Sequence, residues 1–329
     1  MFSWQSSIWE GWKRVRRHLP HAVLMQGPEG WGEFEFAQSA ALSLLCEKPR
    51  ADGQACGACE ACNWFSLGNH PDFRLVVPES MVAEPSEESS EPGKKRSDQI
   101  KIEQIRALAD FLAVGTHRGG LRVVLIYPAE VMNANTQNAL LKSLEEPPPS
   151  TVFLLVTTQA DRLLPTVRSR CQRLSLAPSD SAGALRWLKE QGVGHAESAL
   201  AAVGGAPLAA LKGAQSEEKR VAFIDGLRRP GFDPIALAES VQGVPLWDLV
   251  SWLQRWSFDL LLARTVGQVR YHPGQEKPIS EIALRCEPGS IAAYWRGLAQ
   301  ARALARHPLN AKLFVEDLLL RYRRLVGQP

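Results

Sequence analysis

The sequence has no excess of charge of one sign. Its 38 Lys and Arg stand against 35 Asp and Glu, a formal net charge of +3. Bulk attraction to nucleic acid is excluded on that balance, so any such contact must come from a local patch. No apolar run is long enough to cross a bilayer. The opening MFSWQSSIWEGWKRVRRHLP holds no apolar core of the kind a secretory signal needs. A cytosolic protein with reduced cysteines is therefore expected. Internal repeats are absent as well. What remains is 329 residues with an ordinary 45% apolar share, enough for two or three domains with real cores.

A further lack is local. Gly27-Pro28-Glu29-Gly30-Trp31-Gly32-Glu33-Phe34 has the glycine frame of a phosphate-binding loop, G-x-x-x-x-G-K-[ST], without the residues that use it. Glu33 stands where a lysine would meet the β- and γ-phosphates. Phe34 stands where a hydroxyl would hold Mg²⁺. A carboxylate repels phosphate, and two unit charges 4 Å apart interact by about 1 kcal/mol even in bulk water. The strand LRVVLI is followed by Tyr127-Pro128, where an active ATPase is expected to carry Asp-Glu. Glu130 is the nearest carboxylate, and a cap or surface role suits it better than Mg²⁺. ATP binding and hydrolysis by this chain are therefore not expected.

The hydrophobic pattern predicts an α/β fold. Ala22–Gln26, Phe73–Val77, Leu121–Ile126 and Thr151–Val156 read as strands. Glu33–Leu45, a stripe through Ile105, Leu108, Ala109, Phe111 and Leu112, and Asn135–Glu146 before Pro147-Pro148-Pro149 read as helical. Strands alternating with helices, two of them nearly all apolar, imply a parallel sheet covered on both faces. Residues 78–98, Pro/Ser/Glu-rich and aperiodic, read as a surface insertion. Its Lys94-Lys95-Arg96 is a candidate DNA contact, with a solvated loop as the plainer reading. From about residue 179 the strand signal fades. Ser181–Gln191, Ala196–Val203, the Trp247/Trp252/Trp256 series and Asn310–Leu325 all read as helices, the last with an Asn N-cap.

Four cysteines lie close in sequence: Cys46, then Cys56, Cys59 and Cys62 in CGACEAC. Thiolates two residues apart can hold one tetrahedral ion through a tight turn, and Zn²⁺ favours four such ligands. A closed site of this kind is structural. A redox pair needs only two cysteines and is the alternative; His70 is a further candidate ligand. Cys171 and Cys286 stand apart as apolar buried residues. Downstream, LLPTVRSRC sets Arg168 and Arg170 around Ser169. A solvated basic loop is one reading. An arginine finger is the other, because a guanidinium offers rigid, always-charged donors to a phosphoryl group gaining negative charge.

HAVLMQGPEGWGE, the cysteine module, NHPDF, IKIEQIR, NALLKSLEEPPPSTVFLLVTT, LLPTVRSRC and GGAPLAAL together resemble the clamp-loader branch of the AAA+ ATPases, over roughly residues 20–212. The degenerate loop sets the chain apart from that family's motor subunits. The resemblance implies a RecA-like AAA+ domain over 1–176 with the zinc module near 46–62, a helical lid over 177–213 and an all-α collar over 214–329. It implies an ATPase-deficient stator within the bacterial DNA polymerase III clamp loader. Its partners would be the gamma/tau motor subunits and the delta subunit, together with the sliding clamp and primer-template DNA, and no membrane. It makes Ser169-Arg170-Cys171 the family's SRC motif, with Arg170 a catalytic finger in trans. Thr157 falls near a nucleotide-sensor position, and Leu208 replaces the sensor arginine of the motor subunits. Lys142 is a weak candidate for DNA phosphates. A stand-alone zinc-containing DNA-binding protein, an active ATPase with an unusual loop, and a purely structural scaffold are the rival readings.

Overall fold

The computed structural model describes residues 1–82, 96–117, 119–177, 180–305 and 309–327. Contacts divide the chain into two compact units, Met1–Gly183 and Ala184–Pro329.

The first unit is built on β1 (Ala22–Gln26), β2 (Phe73–Val76), β3 (Arg122–Ile126), β4 (Thr151–Thr157) and β5 (Gln172–Ser175). All pairings are parallel and the order is β2-β3-β4-β1-β5, with Leu24 opposite Leu155 and Val124 opposite Phe153. Every residue of β3 and β4 is buried. Their near-continuous apolar runs are what a strand covered on both faces requires. Side chains alternate between the faces. Val23, Met25, Val123, Leu125, Leu154 and Val156 pack with α1 (Ser6–Arg17) and α2 (Glu33–Leu45). Ala22, Leu24, Val124, Ile126, Phe153 and Leu155 face the other core. That core is formed with α4 (Ile102–Arg106), α5 (Leu108–Ala113), α6 (Ala134–Glu145) and α7 (Pro165–Ser169); α3 (Glu60–Ser66) follows the cysteine loop.

Several boundaries have visible causes. Helix α6 starts at Ala134, one residue before the expected Asn135, capped by Asn133, whose side chain accepts from the Thr136 N–H at 2.9 Å. The predicted stripe at 105–112 is two short helices. Strand β5 and helix α1 had not been anticipated. The ends of the 78–98 insertion are tied together: the Ser80 N–H donates to the Ser97 carbonyl at 3.2 Å, and Lys101 pairs with Glu79 at 2.6 Å. Lys94 and Lys95 lie outside the described residues.

The second unit is helical throughout its described residues: α8 (Ser181–Glu190, which spans the division), α9 (Ala196–Ala202), α10 (Pro207–Gly213), α11 (Glu217–Arg228), α12 (Pro234–Ser240), α13 (Leu246–Val266), α14 (Glu276–Leu284), α15 (Pro288–Leu304) and α16 (Ala311–Val326). Helix α13 is the axis of its core. Trp252 and Trp256 are buried, while Trp247 is half-buried beneath the Arg302 guanidinium. The Trp256 indole donates to the Tyr322 hydroxyl at 2.8 Å, joining α13 to α16. Asp259 is fully buried and accepts from the backbone N–H groups of Arg270, Tyr271 and His272. These bonds satisfy a charge that would otherwise be costly to bury. Asn310 caps α16 as the sequence predicts. No helix of the described residues is long and apolar enough to cross a membrane.

Candidate functional site

Strand β1 delivers Gly27 just beyond the C-terminal end of an interior strand, and α2 starts at Glu33, the arrangement a phosphate-binding loop needs. The glycines serve packing here. A Cβ on Gly27 would lie 2.8 Å from the Leu176 Cβ. Gly32 holds φ +84°, and a Cβ there would lie 2.8 Å from both Gln5 and the Phe2 ring. Those contacts belong to an N-terminal plug. The Gln5 side-chain amide donates to the Gly32 carbonyl at 2.7 Å and to that of Trp31 at 3.2 Å. The Trp4 indole also donates to Trp31, at 3.0 Å, and the Phe2 ring stacks on Trp4 at 4.5 Å.

The other flank is closed too. The Phe34 ring stacks on Tyr127 at 4.7 Å. The Tyr127 hydroxyl donates to Glu33 Oε1 at 3.2 Å. Glu33 is buried, and its Oε2 has no hydrogen-bond partner among the described residues. Burial raises the Glu33 carboxyl above its ordinary range, opposed by its backbone and Tyr127 hydrogen bonds. A raised carboxyl leaves the folded chain holding the proton longer than the unfolded one. The stability tied to it is fully present below the ordinary glutamate range and is lost as pH rises through the folded value. The stability of Glu33→Gln relative to wild type should therefore rise as pH climbs from 4 toward 8, read by urea melts across pH. A constant difference would show Glu33 to be solvated.

Glu130 is buried rather than on the surface. Its Oε1 accepts from the Thr158 N–H at 3.1 Å and from the Thr158 hydroxyl at 2.7 Å. It caps the turn leaving β4. Thr157 is buried, and its hydroxyl accepts from the Gln159 N–H at 3.1 Å. Leu208 is half-buried on α10, and Lys142 is exposed on α6.

The four cysteine sulfurs converge within 4.8 Å of one another. Two pairs, Cys46–Cys59 and Cys56–Cys62, stand at 3.9 Å. A tetrahedral ion with bonds of ~2.3 Å sets its sulfurs about 3.8 Å apart, so the cluster fits one closed site. Cys46 is the residue that ends α2 and Cys59 the one that begins α3, so two helix ends fix two ligands. The loop between is clamped to α1: the Trp9 indole donates to the Asp52 carbonyl at 3.0 Å, and Arg16 to that of Gly53 at 2.8 Å. Backbone N–H groups of Ala58 and Cys59 point at Cys56 Sγ and bring its thiol down to about 6. Burial pushes the Cys62 thiol up to about 12. His70 stands outside the cluster; its Nδ1 accepts from the Asp72 N–H at 3.1 Å.

Arg170 follows α7 immediately. It pairs with Glu145 of α6 at 2.6 Å and donates to the Thr166 carbonyl at 3.0 Å. The pair is partly solvent-exposed. Such pairs contribute about 0–1 kcal/mol, so an anion can take the guanidinium at low cost. The Ser169 hydroxyl donates to the Thr166 carbonyl at 3.0 Å, a bond within the turn. Cys171 is buried, which raises its thiol to about 11.

A parallel sheet with a glycine loop leaving its β1 strand, and with that loop contacted by the chain's own aromatic, amide and carboxylate side chains, defines a protein of the phosphate-loop fold class. A solved DNA polymerase III gamma subunit-related protein of Thermotoga maritima is similar across 98% of this chain and 99% of its own, with TM-score 0.52 and 18% identity. That likeness concerns the fold. The family model for the DNA polymerase III delta subunit matches residues 5–180. DNA polymerase III subunit delta' of Pseudomonas aeruginosa is 34% identical, covering 99% of this chain and 98% of its own. Its Escherichia coli counterpart is 28% identical over 92% of this chain and 88% of its own. The chain belongs to the DNA polymerase III delta' family.

Sequence reasoning missed the plug of Phe2, Trp4 and Gln5, and the part of Tyr127. Helix α1 was the available clue, since Ile8, Trp9, Trp12 and Val15 follow a helical stripe ending in a basic turn.

Proposed function

We propose that this chain is an ATPase-deficient stator of the bacterial DNA polymerase III clamp loader. It helps load the sliding clamp onto primed DNA and supplies Arg170 to ATP held by a neighbouring motor subunit. The observation that carries this reading is the glycine loop, which the chain's own side chains engage. Gln5 bonds to its carbonyls, and Glu33 and Phe34 stand where the lysine and hydroxyl of a working loop would be, which supports a fold kept without its nucleotide. A subunit that binds no ATP does not change state in the nucleotide cycle. It can serve as the fixed surface against which other subunits move.

Within this reading, gamma/tau and delta are the partners, primer-template DNA passes through the assembly, and the protein works in the cytoplasm. Residues 1–176 form the AAA+ domain, 177–213 the lid and 214–329 the collar. Cys46, Cys56, Cys59 and Cys62 hold a structural Zn²⁺, which would fix the turn joining α2 to α3. Arg170 acts through charge: released from Glu145, its guanidinium donates to the phosphoryl oxygens of the adjacent site. Clamp loading by gamma/tau and delta, with clamp and primed DNA, should need this chain. Equal loading in its absence would refute the assignment.

A further inference from the structure

A cavity of about 570 Å³ opens in the second unit where α11, α14 and α16 end. Five arginines line it: Arg228, Arg229, Arg285, Arg323 and Arg324. No acidic residue shares the lining among the described residues. These five charges exceed the formal excess of +3 carried by the entire chain. Basic side chains commonly sit at helix C-termini, where they answer the helix dipole. Dipole compensation accounts for some of them, but not for five around one concavity. Arg228 is committed internally, paired with Asp225 at 3.1 Å and donating to Gln275 at 2.6 Å. Arg229, Arg285, Arg323 and Arg324 are exposed, and none forms an ion pair with a described residue.

The floor is apolar. Leu227 and Phe232 are buried there, and Ile282 and Val326 are half-buried. Gly231, at φ +68°, turns the chain around the rim between Arg229 and Phe232. Leu284 stands 69% exposed next to Arg285. A nucleic-acid backbone would use the charge and leave this floor idle. A segment carrying carboxylates beside a bulky apolar side chain uses both, since guanidinium groups take carboxylates in forked pairs and the floor takes the apolar group.

We propose that this cavity is a docking site for an acidic peptide segment of a partner protein, anchored by one aromatic or aliphatic residue. The site rests on the second unit alone and is independent of the clamp-loading reading. The test is fluorescence anisotropy with the full chain and a short labelled peptide alternating aspartate with leucine and phenylalanine. Saturable binding is expected, weakening with salt. The double variant Arg285→Glu, Arg324→Glu should weaken it at least about tenfold with an unchanged thermal melt. The milder Arg285→Gln, Arg324→Gln pair serves if the first unfolds. Peptides with asparagine for aspartate, or alanine for the apolar residues, should each bind more weakly. Absent binding, or equal binding by the variants, overturns the proposal. Indifference to the apolar residues, with duplex DNA displacing the peptide, overturns it in favour of a phosphate site.

Discussion

Arg170→Ala is expected to slow single-turnover ATP hydrolysis in the reconstituted loader about a thousandfold at the one site this subunit adjoins. Assembly should stay intact. The side chain is partly exposed and its pairing with Glu145 is of the weak, solvated kind, so its removal leaves no buried charge without a partner. On the proposed reading the bulk rate falls less than the single-site rate, because any other ATP site of the assembly would draw on other subunits. Arg170→Lys should also fail, since an ammonium lacks the planar fork that spans two phosphoryl oxygens. Arg168→Ala is the internal control. Arg168 faces Asp161 at 3.5 Å, and its loss should change the rate little. Wild-type hydrolysis by an assembled Arg170→Ala complex would leave the subunit as a scaffold with no part in catalysis.

Cys62→Ser is expected to abolish the proposed Zn²⁺ binding of the first unit and to destabilise it by several kcal/mol. Structural zinc sites of small modules carry apparent binding energies of about 10–16 kcal/mol at neutral pH, and that energy is folding energy. A missing fourth thiolate opens the coordination shell and forfeits much of it. Cys62 is the best choice because it is buried on α3, where serine cannot turn to solvent. Wild-type protein should contain about one zinc per chain by elemental analysis, as a closed four-thiolate site requires. The variant should contain almost none, and chelation of the wild type should reproduce its lowered thermal midpoint. Normal metal content in Cys62→Ser would exclude the four-sulfur site.

The elements that were legible in the sequence are those with a strong single-residue logic. Strands β3 and β4 read as strands because both faces of each are buried and the runs are unbroken. The cysteine cluster was legible because the two-residue spacing of Cys56, Cys59 and Cys62 suits one ion and the gap to Cys46 lets the chain loop back. Strand β5 was not, since in QRLS only Leu174 faces inward and one apolar residue makes no pattern. Of the cap or surface reading of Glu130, the cap holds, but its burial was not legible because nothing local reveals that the Thr158 turn folds over it. The plug escaped for a similar reason. Trp4 and Gln5 act on Trp31 and Gly32 at sequence separations of 26–27, through carbonyls that every residue carries. A side chain that recognises backbone has no complementary letter in the sequence. The glycine frame was visible, but its cause was not: Gly27 and Gly32 are required by Leu176, Phe2 and Gln5, contacts that only the folded chain creates.

Whether the nucleotide fold is truly without nucleotide is decided by calorimetric titration of the isolated chain with MgATP. The proposed loss of the nucleotide site predicts no binding at ATP concentrations up to about a millimolar, the limit at which a dissociation constant corresponds to roughly −4 kcal/mol. Stoichiometric binding in the micromolar range would mean that Phe2, Trp4 and Gln5 yield to the phosphates. The stator reading would then give way to an active ATP site.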